Sequence, residues 1–272
     1  MRTALLLLFL LAAVPGIGQI LNIEQNRKAT DTTHYWTGEL NFNLLIHNNS
    51  ATTEDPVRYI GIGTGADVAY TSVLHRYLLI NQLNYSAITG NAFISTGYSH
   101  FRANLLWRQP LSYELFAQAQ YDIGRGLDSR YLSGGGIRYT FVREKKVLAA
   151  LGVGAMFERE RWQIPATELS PLPGEQEIGT VTTHFIKSSN YLSLRWQINK
   201  MVNLNTIVYF QTGYDQDIDA FRNRFSGNAD LNVKLGTHLT FFTNFTGAYD
   251  SRPVVPIVNF VYSLNNGLKV AL

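Results

Sequence analysis

Cysteine is absent from all 272 residues. That excludes disulfides, thiolate zinc sites, iron–sulfur clusters and thiol catalysis. It also excludes a lipoprotein, whose lipid needs a cysteine at the cleavage site. Charge is scarce: Asp, Glu, Lys and Arg make up 16% of the chain, against roughly 25% in soluble domains. The net charge of +3 is too small to point to nucleic acid. After the first twenty residues no apolar run approaches the ~18 residues of a membrane helix. Apolar and aromatic residues are plentiful, at 46% and 12%, with 15 Tyr and 15 Phe. Such a chain is not disordered, collagenous or coiled-coil.

The N-terminus reads as an address. Arg2 supplies positive charge, Ala4 to Val14 is an apolar run, Pro15 breaks it, and Gly16-Ile17-Gly18 offers small residues for cleavage. The apolar run is too short to span a bilayer, which takes ~20 residues. The expectation is a cleaved signal over 1–18, a flexible periplasmic leader over 19–33, and one β domain over 34–272.

From there the dominant period is two. Phe221, Asn223, Phe225, Gly227, Ala229, Leu231 and Val233 share one face; Arg222, Arg224, Ser226, Asn228, Asp230, Asn232 and Lys234 share the other. Val258 to Leu272 and Trp36 to His47 alternate in the same way. Scanning gives twelve strands: 34–47, 57–72, 75–86, 91–105, 110–123, 129–142, 146–160, 184–198, 201–213, 221–235, 237–249 and 257–272. Ten is the alternative count. The 75–86 segment alternates poorly, because Leu78-Leu79-Ile80 is continuous. Most of these strands match the ~9–11 tilted residues that cross an outer membrane, with some overhang. Connections alternate between short and long, except that 87–90 does not stand out as long. The longest, 161–183, is rich in Pro and Glu and is expected to be exposed and mobile.

Volume decides which face is outside. A twelve-stranded barrel has a backbone radius of about 12 Å. Apolar side chains turned inward would leave a void there, which packed interiors do not tolerate. Turned outward, they meet lipid. The sequence therefore predicts an all-β fold: a transmembrane antiparallel up-and-down β-barrel in the outer membrane of a Gram-negative bacterium, with both termini periplasmic. A two-sheet sandwich is the soluble alternative. The expected partners are membrane lipid, lipopolysaccharide and the barrel-insertion machinery, with no nucleic acid.

Gly97-Tyr98-Ser99-His100-Phe101-Arg102, Glu114 to Tyr121 and Arg130 to Tyr139 resemble a family of unknown function whose members are labelled salt-induced outer-membrane proteins. Glu158, Tyr249-Asp250-Ser251-x-Pro253 and Gly267-Leu268-Lys269-Val270 are similar to its later landmarks, so the resemblance covers roughly 75–272. It implies an outer-membrane barrel and no reaction.

With the polar face inward, the lumen would be lined by His100, Arg102, Glu114, Gln118, Gln120, Arg130, Arg138, Glu158, Arg195, Arg222, Arg224, Asp230, Lys234 and Lys269, with Glu160 beside them. Hairpin register places Arg102 near Glu114 and Arg130 near Glu158. Such pairs either satisfy one another in a wet barrel or, with Arg in surplus, favour anions. The leading reading is a non-enzymatic barrel, with a narrow channel for small polar or anionic solutes as its function. A closed structural or docking barrel is the alternative, and a lipid hydrolase a distant one. Ser99 and His100 face opposite sides of a strand, so only Ser112 would approach His100 from a neighbour. No catalytic residue, metal site or cofactor is assigned. The six His are scattered, and Asp215, Asp217 and Asp219 read as a solvated loop rather than a calcium site. The Gly61–Gly65 and Gly134–Gly136 runs precede no helix. They read as relief for bends or bulky neighbours, not as phosphate cradles.

Overall fold

The computed structural model describes residues 34–48, 57–164, 179–216 and 218–270. The signal and leader expected over 1–33 lie outside these residues. Twelve strands fill the described chain: β1 (Tyr35–Asn48), β2 (Arg58–Thr71), β3 (His75–Ile88), β4 (Asn91–Leu105), β5 (Leu111–Asp122), β6 (Leu127–Arg143), β7 (Val147–Gln163), β8 (Thr180–Gln197), β9 (Val202–Asp215), β10 (Ala220–Lys234), β11 (Leu239–Asp250) and β12 (Phe260–Val270). They form one antiparallel up-and-down sheet in chain order. A single 3-10 turn, Ile123–Arg125, is the only helical element among the described residues.

The period-two pattern sets the two faces. On β7, Leu151, Val153 and Phe157 are exposed, while Gly152, Met156, Glu158 and Glu160 are buried. Phe101, Leu115, Tyr139, Leu192, Val208 and Phe225 are likewise exposed on their strands. The charged face is thus the buried one. It is buried because the sheet rolls. Ala69 of β2, Leu78 and Ile80 of β3 and Tyr98 of β4 pack against Tyr191 of β8 and Ile207 of β9, with Tyr209 alongside. β2 and β8, and β3 and β9, are six strands apart in a twelve-stranded order. Among the described residues no ladder joins β1 to β12.

This layer explains the poor alternation of β3. Leu79 points to the exposed face while Leu78 and Ile80 fill the interior, so both faces carry aliphatic residues. The interior is therefore not uniformly polar, as period alone implied.

The connections refine the expected alternation. Thr89 and Gly90 form the whole β3–β4 link, with φ of 48° and 85°. Two successive positive φ values are those of a type I′ hairpin, which needs few residues and favours glycine second. The β7–β8 hairpin is taller than expected, because Arg161↔Thr182 and Trp162↔Val181 extend its ladder. The β-branched Val181, Thr182 and Thr183 suit a strand, so the loop expected over 161–183 shrinks to 164–179. Of that loop, 165–178 lies outside the described residues. At the opposite end, Arg143 donates to the carbonyls of Trp107, Arg108 and Gln109, clamping two short turns together.

Candidate functional site

The concave face carries one connected charge network. Glu158 is fully buried and receives Arg130, Lys187 and Arg224. Glu160, also fully buried, receives Arg130 at 3.1 Å, Arg224 at 3.3 Å and the Trp162 indole N–H at 3.0 Å. Asp250 accepts from Arg224 at 2.7 Å and faces Arg222 at 3.7 Å. Strands β6, β7, β8, β10 and β11 each supply a member, so the network ties together strands that are not neighbours.

A second cluster lies nearer the short turns. Arg102 donates to Glu114 at 3.2 Å. The Tyr191 hydroxyl donates to the same carboxylate at 2.6 Å and accepts from Arg138 at 3.0 Å. Tyr191 sits opposite Gly152 on β7, and a Cβ there would collide with the tyrosine ring. The glycine is thus what lets the ring lie flat across the sheet. Gly134 makes similar room for Phe116 and Met156, in keeping with the packing role read for the Gly134–Gly136 run.

Between the clusters lies a cavity of about 160 Å³. Phe116, Leu132, Met156 and Trp162 supply apolar wall, and His100, Arg102, Gln118, Gln120, Arg125 and Gln211 are among its polar lining. The β11–β12 connection, 251–259, folds back over it. Val255 is buried against Leu127 and Trp162, and the Arg252 carbonyl accepts from Arg222 at 2.7 Å. Burial holds the Arg125 guanidinium below its ordinary value, and the nearby Asp122 carboxylate opposes this.

Of the residues singled out from sequence, His100, Arg102, Glu114, Arg138, Glu158, Arg222 and Asp230 are buried. Gln118, Gln120, Arg130, Arg195 and Arg224 are half-buried. Lys234 and Lys269 are exposed at the strand ends, Lys269 lying over the Phe242 ring at 4.7 Å. Both anticipated hairpin pairs, Arg102–Glu114 and Arg130–Glu158, are present. Lys187 and Tyr191 were not singled out, and Asp250 was named only as a landmark of the family resemblance, not as a lumen residue. Lys187 and Tyr191 share the odd face of β8 with Arg195, a signal that strand parity carries. Asp250 fell in a segment read as loop. The serine–histidine pairing does not form: Ser99 donates to Asn81, Ser112 to the Arg138 carbonyl, and His100 Nδ1 meets Gln118 at 3.0 Å. In the acidic loop, Asp219 accepts from Tyr214, and Asp217 lies outside the described residues.

A family model described as protein of unknown function, DUF481, matches residues 21–255. It corresponds to the unknown-function family that the motifs of β4–β7 resemble. No curated protein matches the chain.

Proposed function

We propose, from the premise that the chain belongs to the DUF481 family of proteins of unknown function, that it is a non-enzymatic β-barrel of the Gram-negative outer membrane. One observation carries this reading: most of the large apolar side chains are exposed, while Arg102, Glu114, Glu158, Glu160, Lys187 and Arg222 are buried. Water rewards the opposite arrangement, whereas lipid rewards this one. The rolling supports closure. A twelve-stranded sheet that packs against itself six strands away has turned through half a circle there, and the same turn continued would carry β12 toward β1. In hydrocarbon the two free edges must pair, since each unsatisfied backbone group costs several kcal/mol.

Two forms of this reading were open, a narrow channel and a closed barrel. The layer of Leu78, Ile80, Tyr98, Tyr191 and Ile207 favours the closed one. Fractionation of cells tests the barrel: the protein belongs in the outer membrane and shows heat-modifiable mobility on gels. A soluble periplasmic protein refutes it. In planar bilayers the purified protein gives no steady conductance, and an open wild-type current would restore the channel.

A further inference from the structure

The five short connections share one end of the sheet, and the charge there is of one sign. Arg108, Arg143, Lys145, Lys146 and Lys200 are exposed at the successive turns β4–β5, β6–β7 and β8–β9. Lys234 and Lys269 are exposed further round the same end. Among the described residues, the five connections and the two strand residues on each side of them hold a single carboxylate, Glu144. Glu114 lies nearby but faces the interior, where Arg102 holds it at 3.2 Å. Residues 19–33 add no net charge, since Glu24 and Asp31 offset Arg27 and Lys28. Arg108, Lys145, Lys146 and Lys200 make no ion pair among the described residues. Such a patch attracts an anion from outside the chain.

The turns that carry it are tied together. The Arg143 guanidinium donates to the Arg108 carbonyl at 2.6 Å, joining β4–β5 to β6–β7. The Gln197 N–H donates to the Lys146 carbonyl at 2.7 Å, joining β6–β7 to β8–β9. Asn199 Oδ1 accepts from the N–H groups of Met201 and Val202 at 2.7 and 2.9 Å, which fixes the turn bearing Lys200. Strands lie about 4.8 Å apart, so successive turns stand roughly 10 Å from each other. The cations are thus presented at fixed spacing.

Apolar side chains adjoin them and decide the kind of anion. Ile198 and Met201 flank Lys200 and are exposed, and Trp196 and Phe141 are exposed on the outward face near the ends of β8 and β6. A soluble acidic partner answers the cations alone. A membrane surface answers both: aromatic rings settle at headgroup level, while Lys and Arg lay their stems along apolar surface and lift their charge to the phosphates.

We infer that this patch binds an anionic phospholipid of the periplasmic leaflet, its phosphate at Lys145, Lys146 and Lys200 and its acyl chains along Trp196 and Phe141. The inference rests on the outer-membrane barrel reading and names the lipid that the barrel selects.

The test is quenching of tryptophan fluorescence in the full chain, reconstituted in phosphatidylcholine vesicles, by brominated phosphatidylglycerol or brominated phosphatidylcholine. The Trp196→Phe variant identifies the share of the signal that comes from the patch. Phosphatidylglycerol is preferred by about fivefold or more at low salt, and the preference shrinks as salt is raised. Lys145→Gln/Lys146→Gln/Lys200→Gln abolishes it, while the same three positions changed to Arg keep it. Equal quenching by both lipids, or a preference that survives the triple Gln variant, overturns the inference alone when the protein inserts and shows heat-modifiable mobility. Binding of polyglutamate through the same lysines, with no preference among lipids, also overturns it and assigns the patch to a soluble acidic partner. A protein that fractionates as soluble overturns the reading beneath it.

Discussion

Replacing Glu158 by Gln removes the hub of the interior network while keeping its shape. The cost follows from what each cation has left. Arg130 keeps Glu160 at 3.1 Å. Arg224 keeps Glu160 at 3.3 Å and Asp250 at 2.7 Å. Among the described residues Lys187 has no other carboxylate in ion-pair contact, is 2% exposed, and keeps only the more distant Glu160 carboxylate and the Phe185 ring at 5.1 Å. Stranding one buried charge costs about 3–5 kcal/mol, and nearly all of it falls on Lys187. The double variant Glu158→Gln/Lys187→Met removes the stranded charge and recovers at least half of the loss. Urea unfolding of the protein refolded into lipid vesicles measures both. A loss below about 1 kcal/mol for Glu158→Gln refutes the reasoning. So does strict additivity of Glu158→Gln and Lys187→Met, because contacting residues couple by about 0.5–3 kcal/mol.

Three further outcomes follow from the same geometry. Phe225→Arg places charge on the exposed face of β10 and costs about 2–4 kcal/mol near the bilayer midplane; outer-membrane yield falls, while Phe225→Leu is neutral, and a harmless Phe225→Arg reverses the face assignment. Gly152→Val drives a side chain into the Tyr191 ring and destabilises by about 1–3 kcal/mol, read as a lower melting temperature of the heat-modifiable band. Because the chain has no cysteine, a cysteine at Thr37 of β1 can be scanned cleanly against single cysteines along 262–270 of β12. One partner forms a disulfide if the sheet closes, and failure at every position refutes closure.

Much of the sheet was legible because each ladder joins neighbours in sequence and each strand writes its two faces in alternation. Arg222 and Phe225 needed only parity. Arg102 and Glu114 needed only hairpin register. The interior was harder. Nothing local tells Leu78 and Ile80 that Tyr191 and Ile207 stand opposite, so their aliphatic side chains blurred the pattern instead of announcing a packed layer. Tyr191 looked like one more aromatic until the flat ring over Gly152 brought its hydroxyl to Glu114. Asp250 looked like the start of a loop because the next residues, Ser251 to Pro253, carry turn chemistry.

The path by which the molecule assembles is written into the difference between its two kinds of contact. Every ladder can zip from a neighbouring hairpin, most of them across a short turn, and closing such loops is entropically cheap. The Tyr191–Glu114 hydrogen bond spans 77 residues, and the Arg224–Glu158 contact spans 66. Neither can form until several hairpins stand in register. Slipping one strand by a single residue would swap its faces and carry an arginine or a glutamate out of the interior. The buried charges therefore act as a proofreading step: the ladder can zip early, but the inside fits together only when every strand before it has been laid correctly.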